Sequence, residues 1–221
     1  SFVLENKQNI PQNFLYNEEF SRKLFIVKCF KLKENELFNE LLHDVLKEYA
    51  INYMMSVLEI GPKVLRKFGF DIRVYEDCIE YCMEYCQTNK VFEQGKTDLD
   101  LKTALLTMHQ INLVHLDIKP DNIAYSPHFK KWVFLDFGFS EFIEEKLGEK
   151  TFLCYVGTYE YSSPEMKKAL TSDNYVDLYF NDVYALEKSF SFMHRFEDVA
   201  VSSNNQSSVC YNHTMSILMS A

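Results

Sequence analysis

The sequence predicts an α+β fold arranged as two lobes, and three observations carry that expectation. Short apolar runs and one amphipathic helix fill the first third of the chain. A polar stretch, QTNKVFEQGKTD, follows Cys86 and reads as a linker. Beyond it come helical patterns with a few strand-like runs among them.

The elements can be justified in order. LFIVKCF, Leu24 to Phe30, is a short apolar run with a lysine inside it and reads as a strand. In KENELFNELLHDVLKEYAINYMMSVL, the residues Phe38, Leu42, Val45, Tyr49 and Tyr53 lie three or four apart. That spacing sets an apolar face against a charged one and predicts a helix, with Gly61-Pro62 ending it. VLRKFGFDIRVYEDCIEYCMEYC reads as two strands joined by the polar turn Glu76-Asp77. LDLKTALLTMHQINLV is helical, with Asp98 as the expected cap. KKWVFLDFGF, Lys130 to Phe139, is again strand-like. VSSNNQSSV, Val201 to Val209, is poor in bulky residues. The expected organisation is one lobe over about 1–86, a second over about 87–200, and a disordered tail over 201–221.

The bulk numbers narrow the function classes. With 221 residues, 47% apolar and 25% charged, the chain has the composition of a folded soluble protein. A net charge of −9 argues against nonspecific nucleic-acid binding, which needs a basic surface. No apolar run is long enough to span a bilayer, and no signal peptide opens the sequence, so a cytoplasmic (or nuclear) location is the default expectation. Cys78, Cys82 and Cys86 recur at every fourth residue but lack the CxxC pairs and His partners of a zinc site. These three are expected to be reduced and buried; Cys29, Cys154 and Cys210 complete the six cysteines. The sequons at Asn205 and Asn212 carry meaning only in a secreted chain.

The stretch HLDIKPDN, His115 to Asn122, places two carboxylates, a lysine and an amide just after an apolar run. Phosphoryl transfer requires such groups. A lysine holds phosphates, a carboxylate orients and deprotonates a hydroxyl, and oxygen-bearing side chains hold Mg²⁺, a hard cation.

HLDIKPDN resembles HRDLKPxN, the catalytic loop of eukaryotic protein kinases of the Ser/Thr type. The resemblance implies Asp117 as catalytic base, Lys119 beside the transferred phosphate, and Asn122 as a metal ligand. FLDFGF is similar to the metal-binding DFG, which implies Asp136 as the second ligand. Fourteen residues separate Asn122 from Asp136, which suits two short strands and a turn. GTYEYSSPEM resembles the end of an activation segment, with Ser163-Pro164-Glu165 in place of Ala-Pro-Glu, and Thr158 at a position that touches the catalytic Asp and Lys. DVYAL resembles the start of the buried helix that anchors the loop, through Asp182. His109 and His115 are expected to be structural. IVKCF resembles the strand bearing the phosphate lysine, here Lys28, and Glu48 is its expected partner, with Glu40 the runner-up. CMEYC resembles the hinge that clasps adenine, which implies Met83 as gatekeeper and the backbone of Glu84 and Cys86 facing the base. ATP and Mg²⁺ are the implied cofactors, and a protein carrying Ser or Thr the implied partner.

The sequence also departs from the family pattern. No glycine precedes Lys28, so the expected fold has an incomplete N-lobe without the glycine-rich loop, with Ser1-Phe2-Val3 as its remnant. Leu116 replaces the arginine that reads an activation-segment phosphate. The helix after the hinge is expected to be reduced. Only 39 residues follow Asp182, which implies a shortened helical C-lobe. Arg195, the only arginine after Glu165, comes too early to pair with it, and an unpaired buried Glu165 would be costly. Two function classes follow: a protein serine/threonine kinase, favoured because the polar set is complete, and a catalytically impaired kinase-like binding module. A third, small-molecule phosphotransfer, draws on EYAINYMMSVLEIGPKV, which is similar to the corresponding segment of choline-kinase-like proteins. GTYEYSSPEM argues against it.

Overall fold

The computed structural model describes residues 2–4, 25–34, 37–65, 72–88, 90–93, 95–143, 155–169 and 176–203; the side chains of 2–4 and 195–203 are outside that description. The first lobe contains β1 (Phe2–Leu4), β2 (Phe25–Lys31), α1 (Phe38–Val57), β3 (Val64–Leu65), β4 (Ile72–Val74) and β5 (Cys78–Glu84). The second contains α2 (Lys96–Gln110), β6 (Leu113–Val114), β7 (Ile123–Ser126), β8 (Lys131–Phe134), β9 (Glu141–Phe142), α3 (Pro164–Lys168) and α4 (Leu178–Ser203). The two-lobed α+β architecture agrees with the sequence expectation.

β5 organises the first sheet. One of its edges pairs antiparallel with β2 along the full strand, with Lys28 opposite Tyr81. Its other edge carries β3 and β4 end to end, Leu65 opposite Cys82 and Ile72 opposite Tyr81. β1 pairs outside β2, with Phe2 opposite Lys28, so Phe2 and Val3 form strand rather than loop.

Helix α1 buries Leu41 and Val45 against Ile79, Tyr81 and Met83 of β5. Its buried stripe continues through Glu48, Asn52 and Met55. This corrects the expected face. Phe38, Leu42 and Tyr49 are only half-buried, and Tyr53 is 48% exposed. Apolar periodicity missed the rotation because three of the inward positions, Glu48, Asn52 and Ser56, are polar residues with hydrogen-bond partners in the fold. The helix also stops at Val57, short of Gly61-Pro62. Glu59 adopts a left-handed φ of 58°, and the amides of Ile60 and Gly61 turn back to Met55 O at 2.9 and 3.2 Å. Gly61 serves packing instead. A Cβ there would lie 2.7 Å from Met55 Cβ and 3.1 Å from the Phe137 ring.

In the second lobe, α2 begins after Gly95, which takes the cap position with φ 84°, so Asp98 lies in the first turn and is not the cap. Asp98 instead meets His194 of α4 at 3.2 Å, and Lys102 meets Glu187 at 3.1 Å. β7 and β8 form the hairpin expected between Asn122 and Asp136. The core joins Leu101 and Met108 of α2 to Trp132, Phe134 and Phe137, and to Phe190 of α4. Between the hinge and α2, the described residues contain no helix. α4 runs through Ser203, three residues into the segment expected to be disordered; 204–221 lie outside the described residues.

Among the described residues, Cys29, Cys78, Cys82 and Cys86 are free thiols, the last two buried and the first two half-buried. Burial pushes Cys78 up to about 11, away from reactive thiolate chemistry. Cys154 and Cys210 lie outside the described residues. No described helix is long and apolar enough to cross a membrane.

His115 sits wholly inside this core, its ring 5.0 Å from that of Phe137 and 5.5 Å from that of Phe134. Its Nε2 lies 3.0 Å from Leu135 O, and its Nδ1 lies 3.3 Å from the Asp117 amide that donates to it. That pattern is a neutral imidazole. Burial holds its pKa below 6.5, against the opposing pull of the Asp182 carboxylate.

Replacing Gly61 by Ala is expected to cost about 1–3 kcal/mol in urea unfolding, through overpacking against Met55 and Phe137. The depressed His115 pKa predicts acid sensitivity. Below pH 6.5 the unfolded chain binds a proton at this position that the folded chain refuses, so stability falls as pH drops. The thermal midpoint should decline from pH 7 to pH 5.5, and the decline should be smaller in His115→Phe, relative to that variant's own midpoint at pH 7.5. An equal decline in both would assign the effect to other groups.

Candidate active site

The site begins with a backbone constraint. Leu116 holds φ at 67°, a conformation that side chains other than glycine rarely adopt. Asp182, fully buried on α4, fixes it. Its Oδ1 accepts from Leu116 N at 2.9 Å and its Oδ2 from His115 N at 2.7 Å. His109 Nε2 lies 3.3 Å from the same Oδ2. The Leu116 side chain packs with Val114, Met166, Val176 and Leu178. Gly157, at φ 94°, lies against Leu116 O so closely that any Cβ would collide with it.

This loop presents Asp117. Thr158 Oγ1 donates to Asp117 Oδ1 at 2.6 Å. Lys119 Nζ and Asn122 Nδ2 approach Oδ2 at 2.9 and 3.0 Å. Lys119 also donates to Thr158 Oγ1 at 2.8 Å, and Asn122 Nδ2 to Asp117 O at 2.8 Å. The four residues form one hydrogen-bonded group, with the Thr158 contacts in the place the family pattern assigns them.

A second group forms where β2, α1 and the segment after β8 converge. Lys28 Nζ pairs with Glu48 Oε1 and, at 2.8 Å, with Asp136 Oδ1. Burial alone would lower the Lys28 pKa, but the two carboxylates outweigh it and hold it above 10.5. Burial likewise opposes ionisation of Asp136, and the Lys28 charge overcomes it, leaving its pKa below 3.8. Asp136, like Leu116, is left-handed, φ 57°, with its carboxylate exposed while Phe137 is buried in the core. A Cβ on Gly138 would sit 3.4 Å from Glu48 Oε2 and 3.6 Å from Asp136 Oδ1, in ordinary contact with both carboxylates. Lys47, next to Glu48 on α1, pairs with Glu141 on β9 at a solvent-exposed position. Glu40, the alternative partner, is exposed at the start of α1 beside Asn39, His43 and Asp44, and takes no part in this group.

Two further residues support Glu48 and were missed in the sequence. Tyr81 OH donates to Glu48 Oε1 at 3.0 Å, and Asn52 Nδ2 donates to Tyr81 OH at 3.1 Å and to Glu48 O at 2.9 Å. Burial and the Glu48 charge push the Tyr81 phenol well above 10, so it remains an O–H donor. A tyrosine and an asparagine inside an apolar pattern give no signal on their own.

At the hinge, Met83 is buried in the cluster between β5 and α1. Cys86 is buried, and its backbone N–H and C=O enter none of the loop hydrogen bonds among the described residues. Gln87 pairs with Tyr125 next to it. Glu84 donates its backbone N–H to Lys63 O at 2.8 Å, leaving only its carbonyl for a ligand. Its carboxylate has a separate role. Oε1 accepts from Lys63 N at 2.8 Å and from Ser126 Oγ at 2.6 Å, and Oε2 from His128 N at 3.2 Å. One buried carboxylate thereby joins β5 to the β7–β8 turn of the other lobe.

Glu165 is exposed on α3, which corrects the expectation of a costly buried charge. Ser163, beside it, caps α3 by accepting from Met166 N at 3.1 Å. Arg195 and Thr151 lie outside the described side chains.

The donor set suits Mg²⁺. Both Asn122 amide bonds go to Asp117 through Nδ2, which leaves its Oδ1 as ligand atom, and Asp136 offers a half-exposed carboxylate. No cluster of three His, Cys, Asp or Glu side chains fit for a metal occurs among the described residues. Mg²⁺ held by one carboxylate and an amide commonly takes its remaining ligands from phosphate oxygens and water.

Comparison with known proteins agrees with this geometry. The chain is 27% identical over 159 residues to serine/threonine-protein kinase 1 of Heliothis zea nuclear polyhedrosis virus, covering 70% of this chain and 55% of that protein. It is 25% identical over 194 residues to serine/threonine-protein kinase ULK3 of Xenopus laevis, covering 79% of this chain and 38% of the relative. Over 139 residues it is 30% identical to Aurora kinase A-B of Xenopus laevis, covering 57% and 32%. The chain thus spans about half or less of these relatives' lengths. The family model for the protein kinase domain matches residues 14–197. The loop anchored by Asp182, the Lys28–Glu48 pair and this match together place the chain in the protein kinase domain family.

Proposed function

We propose that the chain transfers the γ-phosphate of ATP to a Ser or Thr hydroxyl of a protein. The observation that carries this reading is the convergence of Lys28, Glu48 and Asp136, three residues from three different elements, into one ion-paired group. Mg²⁺-bound ATP supplies the phosphoryl group and neutralises the charge that develops on it. Lys28 would hold its phosphate oxygens, and Asn122 and Asp136 the metal. The backbone at Glu84 and Cys86 would face the base, beside Met83. Asp117 would orient the incoming hydroxyl and take its proton, with its carboxylate held in place by Thr158 and Asn122. Lys119, bridging Asp117 and Thr158, places a positive charge where the transferred group would pass.

Leu116 bears on regulation. Its side chain is packed among Val114 and Met166, so this position offers no cation to an activation-segment phosphate.

Thermal unfolding with ATP tests the reading. ATP at a hundred times its dissociation constant should stabilise the chain by about 2.7 kcal/mol, a shift of a few degrees that requires Mg²⁺ and disappears in Asp136→Asn. Asp117→Asn should retain the shift and lose at least about a hundredfold in transfer to a protein substrate. A cooperative melt with no shift would instead identify a kinase-shaped binding module. Thr151→Glu is expected to change turnover by less than about tenfold; a larger rise would reveal a phosphate receptor elsewhere in the chain.

A further inference from the structure

Glu48 is held by more than Lys28. Among the described residues, Asn52 Oδ1 is the one buried side-chain polar atom with no hydrogen-bond partner, and Asn52 itself is only 1% exposed. An amide buried with its oxygen orphaned is unfavourable compared with an apolar side chain of the same size. Its nitrogen shows what it does there. The Nδ2 group donates to Tyr81 OH and to Glu48 O, so both its hydrogens are engaged. The amide cannot be turned over without setting Oδ1 at about 2.9 Å from Glu48 O, two acceptors face to face. Tyr81 passes the contact on, donating to Glu48 Oε1, the same oxygen that Lys28 meets.

We propose that Tyr81 and Asn52 are positioning residues that form a latch, holding the Glu48 carboxylate toward Lys28 from inside the sheet–helix interface. This rests on the kinase reading above. The latch uses β5 and α1 alone. It therefore holds Glu48 in place without any contact from the activation segment, and it fits a chain whose Leu116 is packed in apolar core. The Tyr49 ring stands edge-on to that of Tyr81 at 5.3 Å and the Phe30 ring stacks on it at 5.9 Å, so the phenol is confined to this direction.

The test has two arms on the full chain. The first is a double-mutant cycle in thermal unfolding with Tyr81→Phe and Lys28→Met, which reads the latch whether or not the chain transfers phosphate. If the hydroxyl acts through Glu48 on Lys28, the two changes are non-additive; additive shifts overturn the proposal. The second arm measures transfer from Mg²⁺-bound ATP to casein. Tyr81→Phe and Asn52→Leu should each lower kcat about five- to tenfold with the KM for casein unchanged. Asn52→Leu should do so while melting no lower than the parent chain, since it removes the orphaned oxygen. Full kcat in both variants overturns the proposal. Failure of the unaltered chain to transfer phosphate overturns the kinase reading alone, and the cycle still decides the latch.

Discussion

The site depends first on one buried carboxylate. Asp182 has no solvent exposure, and it meets two consecutive backbone amides with two different oxygens. Hydrogen bonds to a charged acceptor of this kind contribute about 1.5–3 kcal/mol each, enough to offset a left-handed leucine, which costs about 1–3 kcal/mol. Leu116 is held in that conformation, and its neighbours take their directions from it. His115 turns inward to the core, and Asp117 turns toward Thr158, Lys119 and Asn122. Without Asp182, two buried amides would lose their partners at a left-handed residue.

The rest of the polar set is assembled by packing rather than by sequence proximity. Lys28 lies on a strand, Glu48 on a helix twenty residues later, and Asp136 in a turn 108 residues from Lys28. What brings them together is apolar. Leu41 and Val45 seat α1 on β5, and Gly61 lets Phe137 approach Met55. Phe137 inside and Asp136 outside are consequences of the same left-handed turn.

Much of this was legible in the sequence, and the reasons differ by residue. HLDIKPDN and the aspartate and phenylalanine of DFGF could be read because each motif is contiguous, whereas Thr158, 41 residues from Asp117, was legible only through the resemblance of GTYEYSSPEM to the family's segment. The phase of α1 could not be read. A count of apolar residues ranks Tyr53 above Glu48 and Asn52, yet Tyr53 is exposed and the other two are buried. Their burial is set by Lys28 and Tyr81, partners that only the folded sheet supplies. Asp98 failed as a cap for a related reason: Gly95 takes the cap position, and His194 of α4 engages the carboxylate. Glu84 was expected at the hinge for its backbone, and nothing in CMEYC signals that its side chain reaches the β7–β8 turn.

That Glu84 contact has a mechanical consequence. The lobes are joined by the chain crossing at Cys86 and also by a carboxylate bonded to Lys63, Ser126 and His128. Further along the seam, Phe134 N reaches Ile60 O at 3.1 Å, and Lys131 pairs with Glu59 at 3.0 Å. A rotation of one lobe against the other would have to strain several of these links together. The seam between the lobes is therefore pinned at several separate points, by a buried carboxylate, a backbone hydrogen bond and an ion pair, and not at the chain crossing alone.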